Sequence, residues 1–185
     1  MFADQLTKLH LWSLAEEYDW IFYADSDVFI LSSMLPCISH VLSSMPAKIA
    51  AVRDVDSFNT GMFMIQPSTK EFDSLMCMLH GNSSHCRAVK FAEQWMEQGL
   101  LNEAYWKNWT EMPATCSMNL ELWTNPWKEH SWDPNATSIS AIHFTCSKPW
   151  DWYCPLTEFA PLCYLFWNER TLRFHRVEKK KGVFS

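Results

Sequence analysis

The chain has 185 residues, 48% hydrophobic and 19% charged, which is ample for a buried core and excludes a disordered polymer. A formal net charge of −6 excludes nucleic acid as a partner, because such binding needs a basic footprint. No apolar run approaches the roughly 18 residues of a membrane span, no signal-peptide pattern opens the sequence, and Lys179-Lys180-Lys181 reads as a solvated tail.

In chain order, residues 7–18 are rich in Leu and Ala and free of Gly and Pro, which predicts a helix. Residues 20–24 form a short apolar and aromatic run suited to a buried strand, stopped by Asp25-Ser26-Asp27. Residues 49–52 and 61–65 predict two further buried strands, stopped by Arg53-Asp54 and Gln66-Pro67. Ser68 and Glu71 have the spacing of a capping box. Phe72, Leu75, Met76 and Leu79 then mark the apolar stripe of an amphipathic helix. A second helix is predicted over 97–106, an irregular Trp- and Pro-rich stretch over 109–135, and a last short strand over 141–144, broken by Lys148-Pro149-Trp150. Buried strands interleaved with helices predict a single α/β domain over 1–185. Ligands of such sheets sit beyond the carboxyl ends of the strands, where Asp25, Asp27, Asp54 and His143 fall.

Asp25 and Asp27, separated by a single Ser at a strand end, offer hard oxygen ligands to a divalent cation that bridges a diphosphate. An Asp-x-Asp pair is equally at home in a plain turn, so both readings stand for the pair alone. His143 is the natural third ligand, and an imidazole beside two carboxylates suits Mn²⁺ better than Mg²⁺; alone it reads as an ordinary buried His. Lys148, held by Pro149 and Trp150, is placed to neutralise a departing diphosphate. Glu97 is favoured at a helix start by the dipole. The amide and hydroxyl of Asn59-Thr60-Gly61 suit sugar hydroxyls, or make a turn into the following strand.

Eleven Trp exceed ordinary usage, as core filler or as stacking surfaces for sugar faces. Seven Cys without CxxC spacing fit free thiols or a few disulfides. Sequons stand at Asn82, Asn108 and Asn135, leaving cytoplasm and Golgi lumen both open as compartments.

The order of these pieces carries more than any one of them. Residues 7–14 (Thr-Lys-Leu-His-Leu-Trp-Ser-Leu), Asp25-Ser26-Asp27, residues 58–68 running through Asn59-Thr60-Gly61, Glu97-Gln98-Gly99, and residues 143–150 from His143 to Lys148-Pro149-Trp150 follow in succession. This succession, over a core of about 6–152 with 153–185 as a C-terminal extension, resembles glycosyltransferase family 8 and its glycogenin-like branch.

The resemblance implies a GT-A fold, a Rossmann-like sheet that binds a UDP-sugar, UDP-glucose first among donors, with Mn²⁺. It implies that Asp25, Asp27 and His143 hold the metal and that Lys148 and Lys8 contact the donor. Asp54, Asn59, Thr60 and Gly61 would bind the donor sugar, and Glu97 and Gln98 would flank the anomeric carbon. Transfer would retain anomeric configuration. The acceptor would be a glycan, lipid or protein, and a homodimer is a further expectation.

The sequence departs from the family in four ways. It starts after the family's first βαβ unit, which is read here as a truncation. Glu97 replaces the usual Asp. The His143-to-Lys148 spacing is one residue shorter than in glycogenin, with Cys146 at a usual Gly. No Tyr occurs between Tyr105 and Tyr153, which argues against self-glucosylation. Two other classes remain: a non-catalytic remnant of a glycosyltransferase, and a zinc module on His143, Cys146, Cys154 and Cys163.

Overall fold

The computed structural model describes residues 6–44, 47–54, 57–80, 96–120, 139–145, 148–151, 163–164 and 166–167. Its elements begin with a 3₁₀ helix, Thr7–Leu14, then β1 (Ile21–Ala24), β2 (Val28–Ile30), α1 (Leu35–Ser44), β3 (Ile49–Arg53) and β4 (Phe58–Ile65). These are followed by α2 (Thr69–His80), α3 (Met96–Ala104), β5 (Thr110–Met112), a 3₁₀ turn at Ala114–Cys116, β6 (Met118–Asn119) and β7 (Ala141–His143).

Two sheets organise the described residues. The larger has the order β1-β4-β3-β5, with β4 antiparallel to both neighbours and β3 parallel to β5. The smaller has the order β2-β7-β6, with β2 antiparallel and β6 parallel to β7. All eight residues of β4 are buried, which is why its sequence is a continuous apolar run after Thr60 rather than an alternating one. Leu9, Trp12, Phe63, Ile65, Leu100 and Leu101 pack one core on the first 3₁₀ helix, β4 and α3. A second core, around Val41, Ala50, Val52, Met62 and Met64, lies under α1. The Cys37–Cys116 disulfide fastens α1 to the 3₁₀ turn there, and Cys77 and Cys163 are also disulfide-bonded.

Several expectations are corrected. The helix expected over 7–18 is a 3₁₀ helix that ends at Leu14; a three-residue turn sets fully buried Leu9 and Trp12 on one face. The strand expected at 61 begins at Phe58, because β3 stays paired with β4 as far as Arg53 opposite Phe58. Asn59-Thr60-Gly61 therefore lies inside a strand and not in a turn before one. α3 ends at Ala104, and Lys107 turns the chain with φ 57°. Within the stretch read as irregular, residues 110–119 hold β5, a 3₁₀ turn and β6, while 121–135 lie outside the described residues. In the capping box, the Glu71 amide donates to Ser68 Oγ at 3.5 Å, but the Glu71 carboxylate goes elsewhere, to Lys48 and the Tyr105 hydroxyl. The zinc module is excluded as read, since Cys163 is oxidised in a disulfide.

Candidate active site

The chain leaves the larger sheet at Asp25 and enters the smaller one at Val28, so the Asp-Ser-Asp turn joins them. Asp25 N donates to Gly61 O at 2.7 Å, extending the β1–β4 pairing by one residue, and Val28 N closes the turn on Asp25 O. Phe144 N donates to Asp27 O at 3.0 Å, tying the other end to β7.

On the first side, Lys8 from the 3₁₀ helix reaches across the end of the sheet. Its ammonium donates to Asp25 Oδ2 at 2.8 Å and to Glu97 Oε1 at 2.7 Å, and the Lys8 and Glu97 side chains are almost fully buried. Tyr23, two residues before Asp25 and so on the same face of β1, donates its hydroxyl to Asp25 Oδ1 at 2.7 Å. Burial, and then the bonded Asp25 carboxylate, push the Tyr23 phenol well above its ordinary pKa, so it stays a donor.

The first turn of α3 meets β4 beside this cluster. Gln98 Oε1 accepts from Thr60 N at 3.1 Å, and its amide donates to Asp54 Oδ2 at 3.4 Å. Asp54 also accepts from Asn59 Nδ2 at 3.1 Å, and the Thr60 hydroxyl donates to Glu97 at 3.3 Å. Asn102, one turn after Gln98, bonds both backbone groups of Phe58 and locks α3 to the start of β4.

On the second side, Asp27 Oδ1 lies 3.4 Å from His143 Nε2, and Asp27 Oδ2 accepts from Lys148 Nζ at 2.5 Å. Lys148 also donates to Phe144 O. Burial raises the Asp27 pKa, but the bonds from His143 and Lys148 outweigh it and hold the carboxyl well below its usual range. The His143 ring lies against Gly61: a Cβ at that position would stand 2.0 Å from His143 Cε1. Gly61 is thus the residue that lets the two sheets close on one another here.

Ligand atoms of Asp25, Asp27 and His143 all lie within 4.8 Å of one another. Among the described residues, His143 Nδ1 is buried without a hydrogen-bond partner. The Asp25 and Asp27 carboxylates lie together at the cluster, and a divalent cation suits such a pair of oxygen ligands. Two carboxylates and an imidazole fit a first-row divalent cation.

All eleven candidate residues therefore gather around one end of the two sheets: Asp25, Asp27 and His143 as a cluster, Lys8 and Lys148 paired to its carboxylates, and Asp54, Asn59, Thr60, Gly61, Glu97 and Gln98 against them. Glu97, one methylene longer than the family's Asp, uses its reach to pair with Lys8. Sequence reasoning missed Tyr23 and Asn102. The first was signalled by strand period from Asp25, the second by helical period from Gln98.

No family model matches the chain. A UDP-glucuronate:xylan alpha-glucuronosyltransferase 2 of Arabidopsis thaliana is 28% identical over 150 residues, covering 78% of this chain and 22% of that protein. Glycogenin-1 of Mus musculus is 26% identical over 162 residues, covering 83% of this chain and 44% of its own length. The chain thus spans less than half of either relative. Among solved structures, the galactosyltransferase LgtC in complex with donor and acceptor sugar analogues superposes with a TM-score of 0.59 at 16% identity, covering 86% of this chain and 66% of that one. The fold is that of the GT-A glycosyltransferases. Within that class, the chain is similar in sequence to glycogenins and to xylan glucuronosyltransferases, at 26% to 29% identity.

Proposed function

We propose that this chain carries the catalytic centre of a retaining hexosyltransferase, which moves a sugar from a UDP-sugar to an acceptor hydroxyl with Mn²⁺ at the diphosphate. The observation that carries the reading is the convergence of Asp25, Asp27 and His143 beside the Asp54–Gln98–Thr60 network. Asp25, Asp27 and His143 would hold the metal, which supplies Lewis-acid neutralisation of the leaving diphosphate. Lys148, now on Asp27, is within reach of the same charge and would share it with the diphosphate. Lys8 holds the Asp25 and Glu97 carboxylates in place, and Tyr23 fixes the second oxygen of Asp25.

Asp54, Asn59 and Thr60 offer acceptors and donors to sugar hydroxyls, and the Gln98 amide, pinned by Thr60 and Asp54, is the polar group we place beside the anomeric carbon. Burial around Glu97 and Asn59 limits water there, favouring transfer over hydrolysis. UDP-glucose is the donor we place first, and UDP-glucuronate, which a relative's name carries, second; the acceptor is a glycan, lipid or protein other than a matching Tyr of this chain. A homodimer goes with the reading. The disulfides favour the Golgi lumen over the cytoplasm, since structural disulfides persist in oxidising compartments.

The test is calorimetric titration of UDP with and without Mn²⁺, against an Asp27→Ala variant. Mn²⁺-dependent binding that is lost in the variant is the expected result. Absence of binding to the folded chain would reject the enzyme in favour of a non-catalytic module.

A further inference from the structure

The sequon at Asn108 lies at a place in the fold that the catalytic reading leaves unused. Asn108 is exposed, in the turn that links α3 to β5, and its amide donates to Tyr105 O at 2.8 Å. Lys107, just before it, takes the left-handed conformation with φ 57°, which swings the chain sharply at this point. Trp106, two residues before Asn108, is 62% exposed on a chain that buries Trp12 completely, with Lys107 Nζ over its ring at 5.8 Å from the centroid. Trp106, Lys107, Trp109 and Arg53 line a cleft of about 360 Å³ beside the turn.

Thr110, the hydroxyl residue of the sequon, adds an independent observation. It opens β5, and its Oγ1 is buried with no hydrogen-bond partner among the described residues. A buried, unbonded hydroxyl costs stability, and the β-branched, isosteric Val would avoid that cost. Among the described residues, no contact of the hydroxyl accounts for Thr over Val at this position. The Asn-x-Thr pattern does.

We propose that Asn108 is N-glycosylated and that the first sugar ring packs its apolar face on Trp106. Asn108 Nδ2 bonds to the anomeric carbon of an N-acetylhexosamine and loses a proton, while the bond from that carbon to a lipid diphosphate breaks and the lipid diphosphate departs. The donor is a lipid-diphosphate-linked oligosaccharide of the secretory lumen, so the inference rests on the luminal compartment proposed above. The stacking follows from the affinity of sugar C–H faces for an indole plane.

Peptide mapping of the protein isolated from its own cells tests the modification. Release of the glycan by an amidase in water labelled with heavy oxygen should convert Asn108 to heavy-oxygen Asp, and a bare Asn108 peptide overturns the proposal. The state of Cys37 and Cys116 in that preparation then separates the two readings: oxidised, the compartment reading stands without the glycan; reduced, both fall. Chain produced through a eukaryotic secretory pathway should lose one glycan in Thr110→Val and keep it in Thr110→Ser. For the stacking, Trp106→Ala should lower Tm by about 2 °C more in the glycosylated chain than after enzymatic deglycosylation. Equal lowering in both forms rejects the packing.

Discussion

Asp25 and Asp27 are two residues apart in sequence, yet they are held by opposite means. Asp25 ends a strand of the larger sheet and is neutralised by Lys8, itself buried and shared with Glu97. Asp27 leads into the smaller sheet and is held by His143 and by Lys148, whose side chain is one-third exposed. The cation on the first side is buried and pinned between two carboxylates, although Asp25 itself is more exposed than Asp27. The cation on the second side is open enough to be exchanged for a ligand. Both carboxylates belong to the metal cluster, and the two sides differ in how firmly their cation is held.

The hardest blow to that contrast is Lys8→Met. It strands Asp25 and Glu97 without their cation and should cost about 3–5 kcal/mol in urea denaturation; a loss below about 1 kcal/mol would show that the two sides are alike. Asp27→Asn strikes the other side. It should weaken Mn²⁺ binding by about a hundredfold in titration and, because its carboxyl is held below its usual pKa range, also lower metal-free stability, by less than Lys8→Met does. Gly61→Ala probes the seam between the sides. Its Cβ would displace the His143 ring, lowering Mn²⁺ affinity about tenfold and stability by about 1–3 kcal/mol.

Farther from the site, Tyr105 accepts from Trp12 Nε1 at 2.7 Å and donates to Glu71. Tyr105→Phe should cost about 1–2 kcal/mol, chiefly because the buried indole N–H loses its acceptor. Burial, then the bond to Glu71, raise the Tyr105 pKa above its ordinary value of 10. The stability linked to its protonated form is complete below the unfolded value and is lost as pH rises beyond about 10, and the Phe variant should lose less over that range. The smallest effect belongs to Arg53→Ala. Its pair with Glu111 is largely solvent-exposed, so unfolding free energy should change by no more than about 1 kcal/mol.

Apolar runs revealed β1, β3, β4 and β7 to within a few residues, and the stripe Phe72-Leu75-Met76-Leu79 revealed α2. β2, β5 and β6 were hidden because strands of two or three residues carry no period to read. α1 has no acidic residue in its first turn and no basic one in its last, so the charge cues to its ends are missing. The site residues were legible as an ordered set of polar positions at strand and helix ends. What the sequence hid was their mutual geometry: that Lys8 bridges Asp25 to Glu97, that Gln98 is pinned on both sides, and that Gly61 exists for His143. Each depends on contacts between segments dozens of residues apart, which no local pattern encodes.

The Cys37–Cys116 bond spans 79 positions of sequence. Asp54, Asn59, Thr60, Gly61, Glu97 and Gln98 all lie inside that covalent loop, and Lys8, Asp25, Asp27, His143 and Lys148 lie outside it. Closing a loop of that length removes chain entropy from the unfolded state equivalent to about 4–5 kcal/mol. Cutting this one bond would therefore act unevenly on the molecule: it frees the segment that shapes the sugar pocket, while the carboxylates and imidazole of the metal cluster lie outside the loop it closes.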